Sequence, residues 1–228
     1  MFRRFANLLL RILFRVLLRV EVAGSENVPA QGPFIAMINH IYFYDPVLLT
    51  ALAPRFIVIM SKIENLNIPV AGLLLKLYGS FPVRRGEVDR QAIRTSLDVL
   101  GQGHGLMMAP EGTRSRAGSL QAGRVGMSWL ALHSNAPIVP VAISGQERLT
   151  RNLKRLRRTP VRMVFGKPFR LHPQEGMRPG EQRRRMTTEA MYRLAALLPP
   201  EYRGVYSNLE EATSDFLIPY EPPLEPPA

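Results

Sequence analysis

Apolar runs of strand length alternate along this chain with segments of helical period, and that alternation constrains its fold more than any other feature. "FIAMIN" (34–39), "RFIVIMSK" (55–62), "HGLMMAP" (104–110) and "APIVPVAISG" (136–145) are strongly apolar, as in strands buried on both faces. "VEVAGSENVPAQGP" starts as a strand and ends in a Pro/Gly turn, "SFPVRRG" (80–86) is short and extended, and 160–169 adds a further strand. Between them, 46–54, 69–79, 88–103 and 124–135 read as helices, each ended by Pro, Gly or a polar turn, and 179–198 reads as a C-terminal helix. The pattern predicts an α/β fold: a largely parallel mixed sheet flanked by helices. In such sheets ligands gather at the carboxyl ends of the strands. His40, Lys62 and "PEGTR" (110–114) each fall just after a strand, so parallel strands would bring them to one rim.

The first twenty residues, "MFRRFANLLLRILFRVLLRV", predict a single amphipathic helix. Arg4, Arg11, Arg15 and Arg19 share one face, and Phe and Leu side chains fill most of the rest. The arginines leave no apolar run of about 18 residues, so a spanning helix is not expected, and a secretory signal with a small-residue cleavage site is not expected either. A broad apolar face with a narrow Arg stripe suits a helix lying in a bilayer interface. The alternative is a helix packed on the protein's own core. The expected organisation is this helix (1–20), one domain (21–200) and an acidic, Pro-rich tail (201–228), ending in an extended or disordered strap.

The net charge is +12 and there is no cysteine. A thiolate nucleophile, a disulfide and a Cys-bound metal are therefore excluded. Residues 148–193 hold fourteen Lys or Arg against Glu175, Glu181 and Glu189. Such an excess calls for an anionic partner: nucleic acid, an anionic membrane, or phosphate-bearing substrates. The run "RNLKRLRR" (151–158) lacks interleaved aromatics for base stacking, so nucleic acid is not expected. A non-enzymatic basic binding module remains the alternative to an enzyme.

His40 and Asp45, in "NHIYFYDP", are the candidate chemistry. Imidazole titrates near neutrality, and a carboxylate on its other nitrogen would fix the tautomer. On a continuous helix the two would lie about 140° apart, so they meet only through a turn. Asp45–Pro46 also reads as a helix start, with Asp as the cap. Glu111, Gly112, Thr113 and Arg114 form a second cluster, where Gly frees backbone amides to face an anion. Arg84, Arg85 and Lys62 could each bind phosphate or simply be solvated. His104, His133 and His172 have no metal-ligand spacing, so no metal is expected.

Taken in order, these segments resemble the glycerolipid acyltransferase family over roughly residues 20–170. Asn39-His40 followed four residues later by Asp45, "GSFPVRR" ending in Arg85, "PEGTRS" (110–115) and "PIVPV" (137–141) match its four motifs. The resemblance implies O-acyl transfer from acyl-coenzyme A or acyl carrier protein to a lysophospholipid, most typically 1-acylglycerol-3-phosphate, with no further cofactor. It implies that His40 is the base and Asp45 its orienter. Lys62, Arg85, Glu111, Gly112, Thr113 and Arg114 would shape the acceptor site. It also implies association with the cytoplasmic face of a membrane, with an anionic surface as partner. Tyr42, where the family usually has a small polar residue, and Arg84, where an acid is common, leave open another lysolipid or lipid-linked acceptor.

Overall fold

The computed structural model describes residues 2–84, 86 and 88–221. Its chain order is α1 (Phe2–Leu17), β1 (Leu18–Ala23), β2 (Phe34–Ile38), α2 (Asp45–Leu52), β3 (Ile57–Lys62), α3 (Ile63–Leu66), α4 (Pro69–Tyr78), β4 (Phe81–Val83) and α5 (Arg90–Gly101). Then follow β5 (Gly105–Met108), α6 (Gly126–Ser134), β6 (Ile138–Ser144), α7 (Leu149–Leu153), β7 (Thr159–Phe165), β8 (Phe169–Leu171), α8 (Pro179–Ala195) and β9 (Leu217–Pro219). The main sheet order is β1-β7-β6-β2-β5-β3-β4. The strands β6, β2, β5, β3 and β4 run parallel to one another, whereas β7 and β8 run antiparallel to β6. The sheet is thus mixed, with its parallel half around β2.

The buried strands send alternate side chains to opposite layers. Ile35, Met37, Leu106 and Ile138 meet Leu130, Met191 and Leu194 from α6 and α8. Phe34, Ala36, Ile38, Val139 and Val141 meet Phe14, Leu48 and Leu49 from α1 and α2. Every β2 side chain is inaccessible, which explains why this run shows no polar alternation.

Two sequence boundaries are corrected. The N-terminal helix stops at Leu17 rather than 20, because Leu18 to Ala23 pair in register with Thr159 to Val164 of β7. Arg19 therefore stands on an edge strand and leaves the helical Arg stripe. The segment from Glu201 is no separate tail: residues 201–221 fold against the domain. Tyr202, Tyr206, Phe216 and Leu217 are buried, and β9 pairs with β8. The buried Glu189 carboxylate pins this stretch, accepting from Thr213 Oγ1 (2.5 Å) and from the amides of Asp215 (3.0 Å) and Phe216 (2.9 Å). Residues 222–228, the expected strap, lie outside the described residues.

α1 packs through a narrow strip, Ala6, Leu10, Phe14 and Leu17. Polar side chains fasten it. Arg11 Nε donates to Ala51 O (2.6 Å), Asn7 Nδ2 donates to Thr50 O (3.3 Å), and Tyr78 Oη donates to Asn7 Oδ1 (2.8 Å). Its outer face, Phe5, Leu9, Ile12, Leu13 and Val16, is exposed. α4, in contact with α1, also turns Val70, Leu73, Leu74 and Leu77 outward at helical spacing. No helix among the described residues is long and apolar enough to cross a membrane.

Candidate active site

The parallel pairing of β2, β5 and β3 brings their carboxyl ends to one rim, so His40, the 110–115 loop and Lys62 emerge side by side. The turn after β2 is the centre. His40 Nδ1 lies 3.1 Å from Asp45 Oδ2, and both side chains are buried. A carboxylate only accepts, so Nδ1 is the donor to Asp45, and in the neutral tautomer this bond selects, the lone pair is on Nε2. Nε2 has no hydrogen-bond partner among the described residues and so remains available to a hydroxyl.

Asp45 is the first residue of α2, with Pro46 behind it, but its side chain does not cap that helix. It turns back instead. Oδ2 accepts from the amides of Ile41 (2.8 Å) and Tyr42 (2.7 Å) as well as from His40. Oδ1 accepts from Gln146 Nε2 at 3.1 Å. The carboxylate is fully buried and fully engaged, as a buried charge must be. Pro46 supplies the helix start that the cap was expected to supply.

The "PEGTRS" loop holds the backbone of His40 from both sides. Glu111 Oε1 accepts from the His40 amide (3.3 Å), and the Ser115 amide donates to His40 O (2.7 Å). Glu111 Oε2 also accepts from the Gln121 amide (3.0 Å). Burial pushes the Glu111 carboxyl above the usual range, and the amides of Gln121 and His40, with the nearby His40 ring, oppose that rise. Glu111, expected to face the acceptor, is thus turned inward as a latch between two loops. Gly112, Thr113 and Arg114 are exposed at the rim. Gly112 has φ 72°, the left-handed region that favours glycine.

Lys62 ends β3 about 10 Å from β2, two strand spacings away, and its Nζ pairs with Glu64 Oε1 at 2.9 Å. Arg85 lies outside the described residues. The side chain of Arg84 is exposed while its amide donates to Asp89 Oδ2 (2.9 Å). Tyr42 Oη lies 3.2 Å from Thr150 Oγ1, tying the turn to α7. Tyr44 Oη donates to Gln146 O, and burial raises its phenol well above the ordinary value, with Tyr42, Asp45 and Glu147 adding to the rise.

Sequence reasoning missed Gln146, 101 residues from Asp45. It also missed the bracing from the C-terminal stretch. Tyr206 Oη accepts from the Gly123 amide (3.0 Å), and Tyr202 Oη accepts from the Gly145 amide (3.2 Å) while donating to Glu147 Oε1 (2.8 Å). Burial and that glutamate push the Tyr202 phenol up to about 12. No local pattern announces these contacts.

The fold has a counterpart in the crystal structure of the 1-acyl-sn-glycerophosphate (LPA) acyltransferase PlsC from Thermotoga maritima. The TM-score is 0.64 at 23% identity, over 93% of this chain and 81% of that one. The three-layer mixed sheet is therefore an acyltransferase-type fold. Residues 19–144 match the family model described as Acyltransferase, and the chain belongs to that family. It is 30% identical over 128 residues to the 1-acyl-sn-glycerol-3-phosphate acyltransferase of Borreliella burgdorferi, covering 55% of this chain and 51% of that protein. It is 36% identical over 125 residues to the lyso-ornithine lipid O-acyltransferase of Pseudomonas aeruginosa, covering 54% and 47%. The matched region spans about half the length of these curated relatives.

Proposed function

We propose that this chain transfers a fatty acyl group from a thioester donor to the free hydroxyl of a lysophospholipid, with 1-acylglycerol-3-phosphate as the leading acceptor. The buried His40–Asp45 pair, with its second imidazole nitrogen unpartnered among the described residues, carries this reading. His40 Nε2 takes the proton of the acceptor hydroxyl as its oxygen attacks the thioester carbonyl carbon. Asp45 holds the tautomer and stabilises the imidazolium. The tetrahedral oxyanion collapses, the carbon–sulfur bond breaks, and the imidazolium returns its proton to the departing thiolate. An ester and a free thiol leave. The donor is acyl-coenzyme A or acyl carrier protein.

The exposed rim groups Gly112, Thr113 and Arg114, with Lys62 on the neighbouring strand, supply the positive field and donors for the acceptor phosphate, and the sequence motif adds Arg85. Glu111 acts indirectly, by holding the backbone of His40. The likeness to the Pseudomonas aeruginosa lyso-ornithine lipid enzyme, with Tyr42 in the middle of the turn, supports a lyso-ornithine lipid as a second acceptor class. The exposed faces of α1 and α4 support work at a membrane surface, with those leucines and phenylalanines entering one leaflet.

The test is thiol release from both thioester donors, with 1-acylglycerol-3-phosphate and lyso-ornithine lipid compared as acceptors. Wild-type protein should transfer to one of them. His40→Ala should lose about 10³-fold or more in kcat while its melting temperature and vesicle binding stay close to wild type. An active His40→Ala protein would sink the proposal.

A further inference from the structure

From the last residue of α7 to the start of β7 the chain runs Leu153-Lys154-Arg155-Leu156-Arg157-Arg158. Leu153 is half exposed, and Leu156 is 95% exposed. Leu156 also has φ 52°, the left-handed region that a residue with a Cβ avoids. A solvated leucine in a disfavoured backbone conformation has nothing in water to offset either cost. Around it stand Arg151, Lys154, Arg155 and Arg157, all exposed, and none forms an ion pair among the described residues.

The position of the loop supplies the context. Arg158 caps the end of α1: its Nη2 donates to Arg15 O (2.7 Å) and Leu18 O (2.6 Å), and its Nε donates to Leu18 O (3.1 Å). The loop is therefore fastened to the helix whose outer face is apolar. At its other end, Thr150 of α7 meets Tyr42 in the His40 turn. One short segment thus connects the apolar helix to the mouth of the site.

We propose that this leucine-tipped basic loop contacts lipid directly. Leu153 and Leu156 enter the acyl boundary of an anionic leaflet, and Arg151, Lys154, Arg155 and Arg157 engage headgroup phosphates. An acidic protein would match the cations but leave the exposed leucines unexplained, and continuity with α1 favours a bilayer. The inference rests on the membrane-side reading of the function. Its consequence is that the His40 turn is held at headgroup depth, where a lysolipid hydroxyl lies.

The deciding variant is Leu156→Gly, in the full chain. Glycine adopts the left-handed conformation freely, so the melting temperature should hold or rise. Sedimentation with phosphatidylcholine/phosphatidylglycerol vesicles should nevertheless fall. A purely structural leucine would lower the melting temperature instead. Leu153→Ser with Leu156→Ser should lower vesicle partitioning about tenfold. Replacing Arg151, Lys154, Arg155 and Arg157 by Gln should lower it by at least about tenfold on anionic vesicles and leave pure phosphatidylcholine unaffected. Unchanged partitioning in the leucine variants overturns the proposal. So does retained vesicle binding in the Gln variant with lost binding to an acidic acyl carrier protein. All these variants should keep acyl transfer to detergent-dispersed acceptor. Wild-type protein that binds vesicles through the loop but transfers no acyl group would refute the enzymatic reading alone.

Discussion

Around His40 the protein buries polar groups, whereas across α1 and α4 it exposes apolar ones. In the first region each carboxylate is surrounded by donors. Asp45 accepts from two amides, an imidazole and an amide side chain, and Glu111 accepts from two amides on separate loops. In the second region Asn7, Arg11 and Tyr78 hydrogen-bond inward or to one another while Phe5, Ile12 and Leu73 are exposed. The first arrangement fixes a geometry, because an unsatisfied buried group costs about 1–3 kcal/mol and so holds its partners in place. The second leaves apolar area with no partner among the described residues, which water disfavours and a leaflet would accommodate. On the proposed function, the difference separates the part that would perform the chemistry from the part that would set where it happens.

The largest expected effect lies at the buried carboxylate. Asp45→Asn keeps the volume but presents an amide NH₂ to groups that are themselves donors. The kcat should fall about 10²–10⁴-fold, with a lowered melting temperature, in the thiol-release assay. Activity near wild type would show that the His40 tautomer is set by something other than Asp45.

A smaller effect should follow at Gln146. Gln146→Met removes one donor to Asp45 while filling similar space, and should cost about tenfold to a hundredfold in kcat with KM little changed. Gln146→Glu, which sets carboxylate against carboxylate, should cost more and change the pH profile of kcat/KM. Equal loss in both variants with identical pH profiles would make Gln146 a packing residue only.

The smallest effect on folding should come from the exposed face. Leu73→Ser with Leu77→Ser on α4 should change stability by about 0.5 kcal/mol or less per site, yet weaken vesicle sedimentation. The buried counterpart Leu48→Ala, on α2, should cost about 2–5 kcal/mol. If the α4 pair destabilised the protein as Leu48→Ala does, that face would be core and the contrast between the regions would fail.

The fold was legible where the apolar runs were long. 34–39, 104–110 and 136–145 all became buried strands, since a run buried on both faces has no polar alternation to lose. The N-terminal boundary was misread because helical periodicity ran on past Leu17, and only the ladder with β7 ends the helix. The tail was misread because its acids and prolines suggested solvent, while Tyr202, Tyr206 and Phe216 are spaced too irregularly to reveal a packed face. The first helix packs on the core through one strip, as the core reading expects, and leaves the opposite side exposed.

By itself the sequence determined the class of fold, through run length and local period; it marked His40 and Asp45 as candidates that could meet only through a turn, and their pairing and the accompanying loop followed from the resemblance. Tertiary structure alone decided that Asp45 turns away from its helix, that Glu111 latches the His40 backbone, and that Gln146 closes the carboxylate from the far end of β6. It also decided which side of α1 faces out. A hydrogen bond between residues 101 positions apart leaves no periodic trace in a sequence; it arises only when parallel strands bring their carboxyl ends to a common rim.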